Sequence, residues 1–105
     1  MYAKFTMLGR ICKLSEIKKV NVANGTADVM TLTLAQSDTY DSNPSYFNIT
    51  FWDKGIKYFE KRKQGDTIIV DGKIKQGKKN DQYYLEFVGD SVNLIKSANK
   101  DNNNG

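Results

Sequence analysis

Histidine is absent from the chain. That removes the usual general base near neutral pH, the commonest metal ligand and every His-based catalytic triad. Carboxylates could act alone, and the nearest pairs are Asp38/Asp41 and Asp66/Asp71. Each pair flanks a turn, where Asp serves as a turn or cap residue. No catalytic residue, metal or cofactor is therefore expected, and a binding protein is expected over an enzyme. Cysteine occurs once, at Cys12. An internal disulfide is excluded, a reducing compartment is the natural home, and the thiol reads as half-buried and inert. No window approaches the roughly 18 consecutive apolar residues of a membrane span. Residues 1–10 lack the charged and apolar regions of a signal peptide. A soluble, cytoplasmic protein is the expectation.

What remains is a chain of 105 residues, enough for one domain with a single core. Its net charge is +4. That excess suits a polyanion partner without requiring one. Lysine and arginine gather at Lys18-Lys19, at Lys61-Arg62-Lys63, and along Lys73, Lys75, Lys78 and Lys79.

The stretch that organises the rest is residues 45–53, S-Y-F-N-I-T-F-W-D. Strand side chains alternate between faces. As a strand, this run puts Phe47, Ile49 and Phe51 on one face and Tyr46, Asn48, Thr50 and Trp52 on the other. The first set reads as core. The second is uncharged, with a ring at each end, including the chain's only tryptophan. Unpaired bases stack on such a surface because every base has a π-face. The same rings could equally cover a second core or a subunit contact.

Around it the chain reads mainly as strands. Residues 4–11 form a first strand, with Gly9 at a bend or bulge. Residues 12–23 read as a basic connection ending in the tight-turn signal Asn24-Gly25. Residues 28–37 form a second strand, with Met30, Leu32 and Leu34 inward and Thr31 and Thr33 outward. Residues 38–44 are loop, holding Tyr40 and the single proline, Pro44. After the organising strand, residues 54–63 break the period of two, and Ile56 and Phe59 suit a short amphipathic helix. Asp53 is its expected N-cap, Gly65 its stop, and Lys61-Arg62-Lys63 its cationic C-terminus. Residues 67–76 are a fourth strand with Ile68, Val70 and Ile74 inward and Gly72 at a bend. Residues 77–81 read as a short basic hairpin tip. Residues 82–88 are a fifth strand, and residues 91–95 a short closing piece. One domain over residues 1–96 and a disordered tail over 97–105 follow from the lack of apolar content after Lys96.

Three strands, a short helix and two more strands predict an all-β, five-stranded Greek-key OB-fold barrel. An SH3-like barrel or another small α+β domain would show similar strands, but the helix between the third and fourth strands favours the OB arrangement. OB-folds bind oligonucleotides on an open face.

Across residues 4–95 the chain resembles the bacterial and phage single-stranded DNA-binding proteins. The resemblance lies in Leu8-Gly9-Arg10-Ile11, Asn24-Gly25-Thr26-Ala27, Leu32-Thr33-Leu34-Ala35, the run from Tyr46 to Lys54, the segment around Val70-Asp71-Gly72, and residues 85–88. It implies a homotetramer that coats single strands during replication, recombination and repair. It further implies that Tyr40, Tyr46 and Trp52 stack on bases. The phosphate contacts expected along the path are Lys4, Arg10, Lys13, Lys18, Lys73, Lys75, Lys78 and Lys79. Two departures stand out. The aromatic usual in the hairpin between the last two strands is missing, with Lys79 roughly in its place and the hairpin shorter. The acidic, phenylalanine-terminated tail tip is also missing, which points to a shortened chain or to a phage or mobile-element version without that recruiting function. The rival readings are another OB-fold binder, such as a primosomal accessory or RNA-binding protein, and a protein-interaction module.

Overall fold

The computed structural model describes residues 3–36 and 43–98. The described residues form six strands: β1 (Ala3–Leu14), β2 (Lys18–Val22), β3 (Gly25–Gln36), β4 (Ser45–Trp52), β5 (Thr67–Lys79) and β6 (Gln82–Lys96). Their order in the sheet is β1-β5-β6-β4-β3-β2, and β1 also pairs with β3. That last pairing closes a ring of five strands and leaves β2 as a flap on β3. The expected five-stranded OB-fold barrel is present. The flap falls in the segment expected to be a connection. Val20 and Val22 alternate with polar neighbours there, and the chain reverses at Ala23 and Asn24 so that Val22 faces Gly25. Gly25 has φ +135, a conformation that suits glycine alone.

Closure depends on β1, which pairs with β5 over residues 3–10 and with β3 from Arg10 onward. The register slips between Ile11 and Lys13, so the bulge lies at Cys12 rather than at Gly9. Gly9 serves a different purpose: a Cβ there would sit 2.6 Å from the Ala35 carbonyl oxygen. The bend expected at Gly72 does coincide with a register shift against β6.

Apolar alternation fills the barrel as expected. Met30, Leu32 and Leu34 of β3 meet Ile49 and Phe51 of β4, together with Ile11, Ile68, Val70 and Val92. A second aromatic group forms where Phe87 meets Phe5 and Phe47 edge-on, at 5.3 and 6.1 Å between ring centroids.

The helix is shorter and tighter than expected. It is a 3₁₀ helix over Asp53–Phe59, and the basic run Lys61-Arg62-Lys63 lies in the turns beyond it. Asp53 is not its cap. Trp52 occupies the N-cap position, no side chain caps the helix, and the Asp53 carboxylate accepts the backbone N–H of Asp28 instead. The helix closes one end of the barrel by pressing Phe59 edge-on against Phe51.

Asp66 ties the ends together. It is buried, and its carboxylate accepts the backbone N–H groups of Lys63 and Ala98 at 3.0 and 2.9 Å. Ala98 is thus held to the barrel, while residues 99–105 of the expected tail lie outside the described residues. Removing this buried acceptor leaves two partly buried donors without it, so Asp66→Ala should destabilise the domain by about 1–3 kcal/mol, measured by urea denaturation. Asp71, the other acid of its pair, lies inside β5 and accepts the Thr6 hydroxyl.

Candidate nucleic-acid interface

Residues opposed across an antiparallel ladder share a face of the sheet. On the outer face of β1, β3 and β4 the register therefore builds three rows. Arg10 opposes Ala35, which opposes Tyr46. Lys13 opposes Thr33, which opposes Asn48. Lys18 of the flap opposes Val29, which opposes Trp52. Each row runs from a cation to a β4 side chain across two strand spacings, about 10 Å. From Tyr46 to Trp52 the face measures about 20 Å along the strand.

Between the cations and the rings the surface is small and uncharged. Thr33 donates its hydroxyl to the Asn48 amide oxygen at 2.8 Å, and Thr31 opposes Thr50. Tyr46 is 59% exposed and Trp52 is half-buried on the same face, while Ile49 and Phe51 beneath them are fully buried. Beside Tyr46 a cleft of about 780 Å³ opens, lined by Arg10, Gln36, Pro44 and Thr67 among others. The Gln36 amide donates to the Leu8 carbonyl at 3.0 Å. Composition hides Gln36; only its place beside Gly9, where β1 changes partner, brings it to the cleft.

At the Trp52 end the flap is fastened by Lys19, whose ammonium bonds Asp28 at 2.9 Å. The hydrogen bond that Lys19 donates to Asp28, then the Asp28 charge, raises the Lys19 pKa above its ordinary value. Lys18 points to the opposite face of β2 from Lys19 and so remains with the rings.

The remaining expected contacts lie elsewhere. Lys4 and Lys73 oppose each other on the outer face of β1 and β5, and Lys75 opposes Glu86. Lys78 and Lys79 sit at the tip of the β5–β6 hairpin. Tyr40 lies outside the described residues. Among the described residues, the structure therefore brings Arg10, Lys13, Lys18, Tyr46 and Trp52 together, and sets Lys4, Lys73, Lys75, Lys78 and Lys79 on a neighbouring face and arm.

A model of the single-strand binding protein family matches residues 2–95. The chain belongs to that family. Solved structures agree on the fold. The mitochondrial single-stranded DNA-binding protein Rim1 of S. cerevisiae is 22% identical with a TM-score of 0.71, over 92% of this chain and 97% of that one. The dimeric N-terminal domain of PriB from Thermoanaerobacter tencongensis is 13% identical with a TM-score of 0.62, over 90% of this chain and 98% of that one. A deletion mutant of the Thermus aquaticus single-stranded DNA-binding protein is 12% identical with a TM-score of 0.66, over 91% of this chain and 51% of that one. No curated protein matches.

For a single-strand binding protein, the hairpin between the last two strands holds more than the sequence suggested. β5 and β6 stay paired out to Lys79 and Gln82, and only Asn80 and Asp81 form the turn. Both have positive φ, 51 and 65, as a tight two-residue hairpin turn demands, and Asn and Asp tolerate it. The arm is thus longer than the short tip expected. It also carries rings: Tyr83 is 65% exposed with the Lys78 ammonium 5.3 Å from its centroid, and Tyr84 lies across Gly77.

Base stacking on the outer face of β4 is an expectation with a direct check. Trp52→Ala should weaken binding of an oligo-dT strand by about 1–3 kcal/mol and leave duplex binding unchanged, as read by fluorescence anisotropy of a labelled strand.

Proposed function

We propose that this single-strand binding protein coats single-stranded DNA without base specificity, in the cytoplasm, in support of replication, recombination and repair. Its role is binding rather than catalysis. The observation that carries this reading is the outer face of β4, where Tyr46 and Trp52 flank an uncharged surface opposite Arg10, Lys13 and Lys18. Tyr46, Trp52 and Tyr40 stack on bases, and the three cations of that face neutralise phosphates, releasing counterions. Lys4, Lys73, Lys75, Lys78 and Lys79 take the strand where it leaves the face toward the arm. A duplex keeps its base faces stacked inside, so it gains only the electrostatic part, and single strands are preferred.

We assign the working form as a homotetramer. Among the described residues, residues 3–9 of β1 pair with β5 alone, and Leu8 is exposed beside their other edge, where a second copy adds. The PriB domain of similar fold is dimeric. Sedimentation should give four times the chain mass.

The likeness to the PriB domain favours one second reading, an OB-fold binder with another nucleic-acid role. Competition between matched oligo-dT and oligo-U separates the two. Preference for oligo-dT supports the DNA-coating role, and equal or stronger binding of oligo-U contradicts it.

A further inference from the structure

At the end of the barrel closed by the 3₁₀ helix, a second cleft opens away from the aromatic face, with a volume of about 390 Å³. Its floor is Met30 and Phe59, and its walls are Leu14 and Ile56. Ile17 also lines the cleft and is 56% exposed. Two acidic residues are among those lining it: Glu16 from the β1–β2 connection and Glu60 from the end of the helix. Among the described residues no lysine or arginine lines the cleft, although Lys and Arg outnumber Asp and Glu by 16 to 12 in the chain.

The cleft is built rather than incidental. Ser15 fixes the connection that forms one wall. Its backbone N–H donates to the Thr31 carbonyl at 2.9 Å, and its hydroxyl accepts the Thr31 N–H at 2.9 Å while donating to the Glu16 carbonyl. The opposite wall is held by Phe59, packed edge-on against Phe51 at 4.7 Å between centroids. A site that is already shaped costs a ligand little ordering.

The chain's own remaining segments do not suit it. Residues 99–105 read N-K-D-N-N-N-G and carry no apolar side chain. Residues 37–42 join the end of β3 that lies six residues, about 20 Å, from Met30. Residues 1–2 precede Ala3, at the other end of β1 from Leu14. Nucleic acid is disfavoured by the two acidic residues of the lining, which repel phosphates, and by the absence of a lining cation among the described residues.

We propose that this cleft docks a partner protein through a short peptide segment that places aliphatic side chains between cationic ones. The aliphatic groups fill the space over Met30 and Phe59, and Lys or Arg on either side meets Glu16 and Glu60. Docking and DNA binding are then compatible, because they use different surfaces of one barrel.

The test uses the full-length chain with labelled isoleucine and methionine methyl groups, titrated with the blocked peptides Lys-Leu-Leu-Lys and Glu-Leu-Leu-Glu. The expected result is saturable shifts of the Ile17, Ile56 and Met30 methyls with the first peptide, at an affinity about tenfold above that for the second. The preference should vanish in Glu16→Lys/Glu60→Lys and persist when oligo-dT saturates the aromatic face. Absence of saturable shifts, equal affinity for the two peptides, or displacement of the cationic peptide by oligo-dT would overturn the proposal. Shifts of the same methyls on raising protein concentration without peptide would also overturn it, by showing that a second copy fills the cleft. The comparison of peptides on the unaltered chain stands even where the double variant does not fold.

Discussion

Phe51→Ala should lower the stability of the domain by about 3–5 kcal/mol. Phe51 is fully buried at the point where β4 hands over to the 3₁₀ helix, and its ring takes Phe59 edge-on at 4.7 Å and 76°. β6 comes so close beneath that a Cβ on Gly89 would fall 2.1 Å from the same ring. Truncation therefore opens a cavity between three elements, and the backbone at Gly89 has no side chain with which to refill it. The loss also loosens the helix, because Phe59 is its only fully seated side chain. Chemical denaturation of the variant beside the parent measures it. A loss under about 1 kcal/mol, well short of the cost of truncating a buried ring, would mean that the faces of β4 are reversed, and with them the assignment of Tyr46 and Trp52.

Replacing Arg10, Lys13 and Lys18 together by alanine should reduce the salt dependence of single-strand binding by about 2 in log–log slope, at roughly 0.7 for each phosphate no longer neutralised. Between about 50 and 200 mM salt the parent should then lose about 20-fold more affinity than the variant. These three side chains end the three rows that cross from the cationic margin to β4. Alanine at Lys61, Arg62 and Lys63 is the matched control. That cluster removes the same charge but lies in the turns after the helix, so the slope should stay close to that of the parent. Equal changes in both variants would show that net charge, and not this face, governs binding.

Most of this arrangement was legible in the residues. The alternation of residues 45–52 sets Phe47, Ile49 and Phe51 on one face with no polar member among them, and a one-residue slip would bury Asn48; it leaves open what covers Tyr46 and Trp52 on the other face. The helix was placed correctly, but its type and length were not. Ile56 and Phe59 satisfy a spacing of three as well as they satisfy a longer α-helical turn, and Gly55 weakens the longer form. The flap went unread because Lys18 and Lys19 dominate five residues whose only strand signal is Val20 and Val22. The arm was underestimated for another reason. Alternation shows which residues share a face, but not where a strand outruns the barrel, so Tyr83 and Leu85 could not be told from core positions; they are in fact 65% and 63% exposed. The division of the lysines between two faces depends on register, which pairs Lys4 with Lys73 and Lys13 with Thr33. Only the closed sheet supplies it.

The central claim is that the outer face of β4 receives nucleobases. Trp52 is the chain's single tryptophan, so its emission reports that face alone. Titration with poly-dT should quench the emission saturably, at low and at raised salt, with the same depth of quenching and a weaker affinity at the higher concentration. Emission that stays constant while a labelled strand demonstrably binds would contradict the account.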